Sequence, residues 1–369
     1  MKSGLSLTAL AQEIERQSNA KRDFIAATEH VQMRVAEVEA VGDVPATKRV
    51  EMAFGNNAMP AKLLAHEQVA EHTGVPVRYY KRMLSEAPEL LATNVGEWFR
   101  RYPAPRMLRT LDGNVRAFLS DRYRPLENHD LAEAILPVLG EMGLDIMSSQ
   151  ITDTRLYIKA IDSRVKRDMP TGKKWGDGSH IFFDTVSPAI VISNSEVGCG
   201  ALSIEAGVYT KICTNLAVAS SRSMKRYHLG GKQELGESIV KMLSEDTRRT
   251  QDAALWKTVR DVTRAAFDEA AFDAYLSEVK GTADNKIEGD PVKAVDLAAK
   301  RFGINEGEKA SVLRHLIAGG DLSQYGLHAA VTRAAEDLQD YDRASDFERL
   351  GGKVLELPKA AWKEIALAA

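Results

Sequence analysis

Four consecutive runs, Leu144–Gln150, Arg155–Asp162, His180–Val186 and Ala189–Glu196, read as short strands that follow one another, with helix-patterned sequence before and after them. That grouping restricts the fold more than any other feature. It predicts an α+β architecture: a mostly antiparallel sheet flanked by helices, followed by a helical C-terminal region. Upstream, residues 5–27 read as one helix with Leu7, Leu10, Ile14 and Phe24 on its apolar stripe. Residues 32–40 and 48–54 alternate like strands around a turn marked by Gly42, Asp43 and Pro45. A helical block spans about 63–98, and strands at 107–111 and 115–120 flank Asp112-Gly113-Asn114, residues that tolerate positive φ in a hairpin turn. A helix over 126–143 takes Asn128 as its cap and stops at Gly143.

From Glu234 the helical pattern runs to the end, with breaks at Gly281–Pro291, Gly303–Gly307 and Gly319-Gly320. Three regions follow: 1–62 joins a helix and strands to the core, 63–232 is the central α+β domain, and 233–369 is an acidic helical region. The charge divides along the same line. Lys and Arg outnumber Asp and Glu 30 to 27 over residues 1–232 and are outnumbered 19 to 25 thereafter, so a phosphate-binding face is expected in the first part. No apolar run reaches the roughly 20 residues that cross a bilayer, the N-terminus has no secretory apolar region, and two cysteines cannot build a disulfide scaffold. The expectation is a cytoplasmic protein with no membrane contact.

Residues 98–124 hold seven arginines, no lysine and five aromatic rings. Guanidinium groups make planar, bidentate contacts to phosphate, and exposed rings stack on bases. With residues 119–124 as a strand, Arg122 and Arg124 share a face while Asp121 and Tyr123 take the other. Arg109, Arg116, Arg122 and Arg124 are then candidates for holding phosphates, with Tyr123 or Phe118 stacking on a base. The alternative is that these arginines pair with Asp112, Asp121 and Glu127. Two further basic clusters, Lys173 and Lys174 in a mobile loop over 163–180 and Arg222 and Arg226 in 220–232, would extend one groove.

A second constellation lies at 192–218. Asn194, Ser195 and Glu196 end a strand, Gly198 and Gly200 form a permissive turn, and a further strand leads to Cys213, Thr214 and Asn215. Such a turn can offer N–H groups to an anion, or its Asn and Ser side chains can satisfy the turn itself. Residues 65–83 resemble a helix-turn-helix with Gly74 at the turn and Arg78, Tyr79, Lys81 and Arg82 on the second helix. No P-loop, HExxH, CxxC or EF-hand pattern occurs, so neither a cofactor nor a metal is indicated.

The blocks LRTLDGNVRAFLSDRYRPLEN, ISNSEVGCGALSIEAGVYTKICTN and HAAVTRAAEDLQDYDRASDFERLGGKVL, in that order, resemble the DUF932 family of phage- and plasmid-type proteins over roughly Leu63 to Trp362. Where many relatives have Cys-Thr-Asn-Gly, this chain has Cys213-Thr214-Asn215-Leu216. The resemblance implies DNA metabolism on a mobile element. In general character the chain is also similar to ATP-independent single-strand annealing proteins. The expected function is nucleic-acid binding, on single-stranded DNA in recombination or replication, by a homo-oligomer whose acidic helical C-terminus serves self-association or partner contacts. Two other classes stay open: an enzyme acting on a nucleotide or other phosphorylated substrate through Asp121, Asn194, Ser195, Glu196 or Cys213, and a structural or host-interaction protein.

Overall fold

The computed structural model describes residues 4–38, 47–174, 181–210, 215–226 and 245–368. The chain opens with α1 (Leu7–Ala20), capped by the Ser6 hydroxyl, which accepts from the Ala9 N–H at 3.2 Å. It continues as β1 (Arg22–Ala27), so the helix expected to reach residue 27 stops at Ala20. Two cores divide that segment. Leu10 and Ile14 pack under the large sheet, whereas Phe24 and Ala26 belong to the core of the N-terminal half.

β2 (Val31–Val38), β3 (Thr47–Phe54) and β4 (Asn57–Pro60) form one antiparallel sheet. α2 (Leu63–Thr73), α3 (Val77–Glu86) and α4 (Pro88–Arg101) follow it. The helix-turn-helix-like hairpin is present, with Gly74 at φ 69° ending α2, and Lys81 reaches back to Glu67 at 2.5 Å. β5 (Pro105–Leu111) and β6 (Asn114–Ser120) pair with β1 in the order β1-β5-β6. Their tight turn has Asp112 at φ 49° and Gly113 at φ 71°, the two positive values that a twisted hairpin favours.

α5 (Asn128–Glu141) starts one residue earlier than a cap at Asn128 would place it, with Glu127 at the cap position. The large sheet comprises β7 (Asp145–Ile151), β8 (Leu156–Ile161), β10 (Ile181–Asn194), β11 (Leu202–Thr210) and β12 (Asn215–Arg226), ordered β12-β11-β10-β8-β7. β9 (Arg167–Lys174) pairs with the first half of β10, so the middle of the expected basic loop is strand. Every ladder between these strands is antiparallel.

Seven helices complete the described chain. They are α6 (Glu245–Ala265), α7 (Glu269–Val279), α8 (Pro291–Phe302), α9 (Glu306–Gly319), α10 (Gln324–Ala334), α11 (Tyr341–Leu355) and α12 (Lys359–Ala366). None of the described helices is long and apolar enough to cross a membrane. The architecture is therefore α+β, with antiparallel sheets flanked by helices and a helical C-terminal region.

Helices cover the large sheet on both faces. Leu156, Ile158, Ile190, Ile192, Leu202 and Ile204 line one face and join residues of α1, α5 and α6 in a single apolar core. The other face is more polar. There Lys159 pairs with Glu348 of α11 at 2.7 Å, both fully buried, with its ammonium 4.6 Å from the centre of the Tyr341 ring. Arg349 pairs with Glu205 at 2.7 Å. α11 comes so close to β12 that a Cβ on Gly352 would stand 1.7 Å from the Val218 carbonyl oxygen, so only glycine fits.

Two buried histidines link this packing to pH. His328 sits beside the Gly351 carbonyl at 3.1 Å and His66 beside the Tyr80 hydroxyl at 3.1 Å. Burial lowers each imidazole from 6.5 to about 4. A depressed folded pKa gives stability that is present above the unfolded value of 6.5 and is lost as pH falls toward 4, at most about 3 kcal/mol per group. Thermal melting from neutral pH down to about 4.5 should therefore show a falling midpoint, with a shallower fall in His66→Gln and His328→Gln. Equal slopes for wild type and both variants would contradict the assignment.

Candidate functional site

The structure brings the two constellations together, but as a buried ion cluster. After Ser120 the chain leaves β6 in a turn closed by the Tyr123 N–H on the Ser120 carbonyl at 2.9 Å. Arg122 and Arg124 are consequently not on a strand and share no face. Arg122 is exposed, and Arg124 pairs with Asp252 of α6. Asp121 lies on the turn beside Ser120, outside the cluster. Tyr123 is not available for stacking, because its ring is largely covered and its hydroxyl donates to the Ser195 carbonyl at 3.1 Å. Phe118 is buried and stacks on Phe99, with centroids 5.6 Å apart.

Arg109, expected to hold phosphate, is 1% exposed. Its Nε donates to Asp23 at 2.8 Å, Nη2 to Glu127 at 2.7 Å and Nη1 to the Glu196 carbonyl at 2.7 Å. Arg116 donates to Glu196 Oε2 at 2.6 Å, while Glu196 Oε1 accepts from Lys21 at 3.1 Å and the Asn128 N–H at 2.8 Å. Both arginines are corrected from ligand contacts to internal counter-ions. β5 is the central strand of its sheet and Arg109 on it is covered, whereas Arg116, on the edge strand β6, borders a cleft but is paired with Glu196.

Burial pushes the Glu196 carboxyl up, but the Arg116 guanidinium, Glu127, Lys21 and the Asn128 N–H outweigh it and hold it well below the usual carboxylate range. Glu127 moves the other way, raised by burial and by the neighbouring Glu196 charge. Two carboxyls driven apart can mark acid–base chemistry. Here, however, Glu196 is 3% exposed and both its oxygens are engaged with protein donors.

The neighbouring polar candidates are also engaged by the protein, although the buried Asn194 Oδ1 has no hydrogen-bond partner among the described residues. Asn194 donates to the Leu126 carbonyl and to Asn128 Oδ1, at 2.7 and 2.9 Å. The Ser195 hydroxyl accepts from the Cys199 N–H at 3.0 Å and closes its own turn. Burial raises the Cys199 thiol to about 11, which leaves it protonated at neutral pH. Asn215 opens β12 opposite Thr210, and Arg222 and Arg226 lie further along that strand. Cys213 and Thr214 lie outside the described residues, as do residues 227–232 of the third basic cluster and the expected helical start at Glu234. Lys21 and Asp23 are the cluster members that periodicity concealed, because both fell inside a supposed continuous helix.

Lys173 and Lys174 lie elsewhere. β9 pairs with residues 181–186 of β10, whereas the Asn194 end pairs with β8 and lies toward the Arg226 end of β12. Eleven residues of strand separate Phe183 from Asn194, about 36 Å at a rise of roughly 3.3 Å per residue. The three basic clusters therefore do not line one groove. Within the 163–174 segment Arg164 pairs with Asp162, and Arg167 with Asp273 and Glu269. Lys173 and Lys174 have no ion-pair partner among the described residues.

These two lysines stand on the β9–β10 arm beside Phe182 and Phe183, which are 42% and 53% exposed. Thr171 and Lys173 on β9, and Phe182 and Asp184 on β10, line a cavity of about 430 Å³ closed by α9 and α10. His315 and Leu316 supply one wall, Tyr325, Ala329, Ala330 and Arg333 another. The Tyr325 hydroxyl donates to Asp184 at 2.8 Å, and burial raises the Asp184 carboxyl. The arm is held down by the Gly172 N–H, which donates to Asp321 at 2.8 Å. A Cβ on Gly172 would lie 2.0 Å from that carboxylate, so any larger residue would have to push the Asp321, Ser323 and Lys286 side chains aside.

Two other large clefts suit phosphate poorly. One of about 890 Å³ has acids at Glu13, Glu67, Asp112, Asp153, Asp340 and Asp342 against Arg16, Lys62 and Arg116, each of which is already paired. The other, about 730 Å³ and beside α2, has Glu67 and Glu71 and no basic side chain. One trio of potential metal ligands among the described residues, His129, Asp130 and Glu133, gathers near the start of α5. The positive end of that helix opposes a cation. No family model, curated protein or solved structure matches the chain.

Removing one partner from the buried cluster should be costly. Glu196→Ala leaves Arg116 and Lys21 without their counter-charge and should lower unfolding free energy by about 3–5 kcal/mol. The paired replacement Glu196→Leu with Arg116→Met should lose less than the sum of its single changes. Urea titration reads both, and a loss below about 1 kcal/mol for Glu196→Ala contradicts the role given to this cluster.

Proposed function

We propose that this chain is a cytoplasmic nucleic-acid-binding protein that takes single strands, of the phage or plasmid type its sequence resembles, and works without ATP in annealing or recombination. The observation that carries the reading is the β9–β10 arm, where two exposed phenylalanine rings stand beside Lys173 and Lys174. Rings that stack on any base, flanked by cations that follow the backbone, are the elements by which proteins hold single strands. Arg333 on the facing helix α10 extends the positive rim.

Binding of a labelled single-stranded oligonucleotide, followed while salt is raised, tests this. The affinity should fall linearly in log–log form with a slope of about −0.7 for each phosphate neutralised. The double substitution Lys173→Glu, Lys174→Glu should weaken binding by at least about tenfold at low salt and flatten that slope. Absence of binding at low salt overturns the function. Binding that is insensitive to the double substitution but sensitive to Arg122→Glu would move the site to the other end of β10.

A further inference from the structure

The cavity under the arm does more than a stacking platform requires. A platform that only holds a strand needs rings and cations, and any base serves it. Here Phe182, Phe183 and Asp184 of β10 all border the cavity, next to an irregularity in the β9–β10 ladder, and β9 contributes Lys173 to it. Lys173 is near enough to pull on the Asp184 charge. Tyr325, itself buried, holds Asp184 in place by donating to Oδ2, so the carboxylate is fixed while it faces the cavity. Leu316, Ala329 and Ala330 supply the apolar part of the remaining wall, beside His315, Arg333 and Asp321, the last already engaged by the Gly172 N–H and the Ser323 hydroxyl. The volume of about 430 Å³ falls within the roughly 300–1,000 Å³ of small-ligand pockets and is too small for a strand.

A negative group inside a site for a polyanion needs a reason. A carboxylate repels phosphate and accepts hydrogen bonds from N–H donors in parallel, two oxygens at a time. Among the four bases, guanine alone offers two adjacent donors on its pairing edge, N1–H and the N2 amino group, with the O6 acceptor next to them. Thymine and uracil place their single N–H between two carbonyls, which a carboxylate rejects.

We propose that this cavity admits one unstacked guanine, with Asp184 accepting from N1–H and the N2 amino group, Lys173 donating toward O6, and Phe182 covering the ring face. This rests on the single-strand reading above for the source of the base, although a free guanine nucleotide presents the same chemistry. Exclusion of an analogue that mismatches buried polar groups is strong, because those groups are left unpaired.

Fluorescence anisotropy of the full chain with an oligo-dT strand, and with the same strand carrying one central dG, separates these possibilities. One guanine avoids self-association of guanine-rich strands. The expected result is an affinity for the dG strand at least about tenfold higher than for oligo-dT, with the ratio falling to about one in Asp184→Asn. A second arm needs no variant: GMP should displace the dG strand from the wild-type chain at lower concentration than AMP, CMP or UMP.

Equal affinity for both strands, together with equal competition by the four nucleotides, overturns the guanine assignment and leaves single-strand binding standing. Stabilisation by GMP alone in a thermal-shift assay, with no strand bound at low salt, supports the guanine pocket and overturns the strand reading. No response to any strand or nucleotide overturns both.

Discussion

The Glu196 carboxylate is the interaction on which the rest of this structure depends. It sits just past the end of β10, and through Arg116, Lys21 and the Asn128 N–H it touches β6, the end of α1 and the start of α5. Arg109 completes the junction by taking the Glu196 carbonyl and bridging to Glu127 and Asp23. Such a cluster is poor evidence of net stability, since each ion has lost its hydration. Its effect is on geometry. Directional bonds from three separate elements admit one relative placement of the small sheet on the large one, which apolar packing alone would specify less sharply.

This explains why the arginine-rich segment misleads as a ligand site. Composition reports that arginines are frequent, and alternation along a strand reports which of them share a side, but neither reports whether that side is covered. Arg109 and Arg116 alternate with apolar residues as surface arginines would, yet the start of α5 and the end of β10 lie over them. The acids that answer them come from outside the segment, Asp23 before it and Glu127 and Glu196 after it, and the pairing of the SDRYRPLEN and NSEVG blocks is part of that physical contact. Resemblance concentrated in those blocks is therefore compatible with a shared fold as much as with a shared ligand.

Much of the architecture was legible for local reasons. The Asp112-Gly113 turn, the glycine stop of α2 at Gly74, the strand series from Asp145 onward and the helical C-terminal region all follow from turn chemistry and periodicity that tertiary contacts reinforce. The expectations that failed include one in which two cores competed for one segment, as at α1 and β1, one in which a polar run formed sheet, as at β9, and the strand over 119–124, which a turn ends at Ser120. Residues 167–174 look like a loop because glycine, proline and lysine are poor strand formers. They are extended because the neighbouring half of β10 offers a free ladder, and because Asp321 and Tyr325 hold the pair of strands against the C-terminal helices. Lys173 and Lys174 were visible as basic residues. Their proximity to Phe182 across the hairpin was not.

The bond between Gly172 and Asp321 joins residues 149 apart in the chain. Every wall of the arm cavity beyond β9 and β10 comes from α9, α10 and the loop between them. During synthesis, the sheet and its ion cluster can assemble while those helices are still unmade, since domains generally form as units from the N-terminal side. The cavity is thus among the last features a growing chain acquires, and a chain cut short before α9 would lack every helical wall of it.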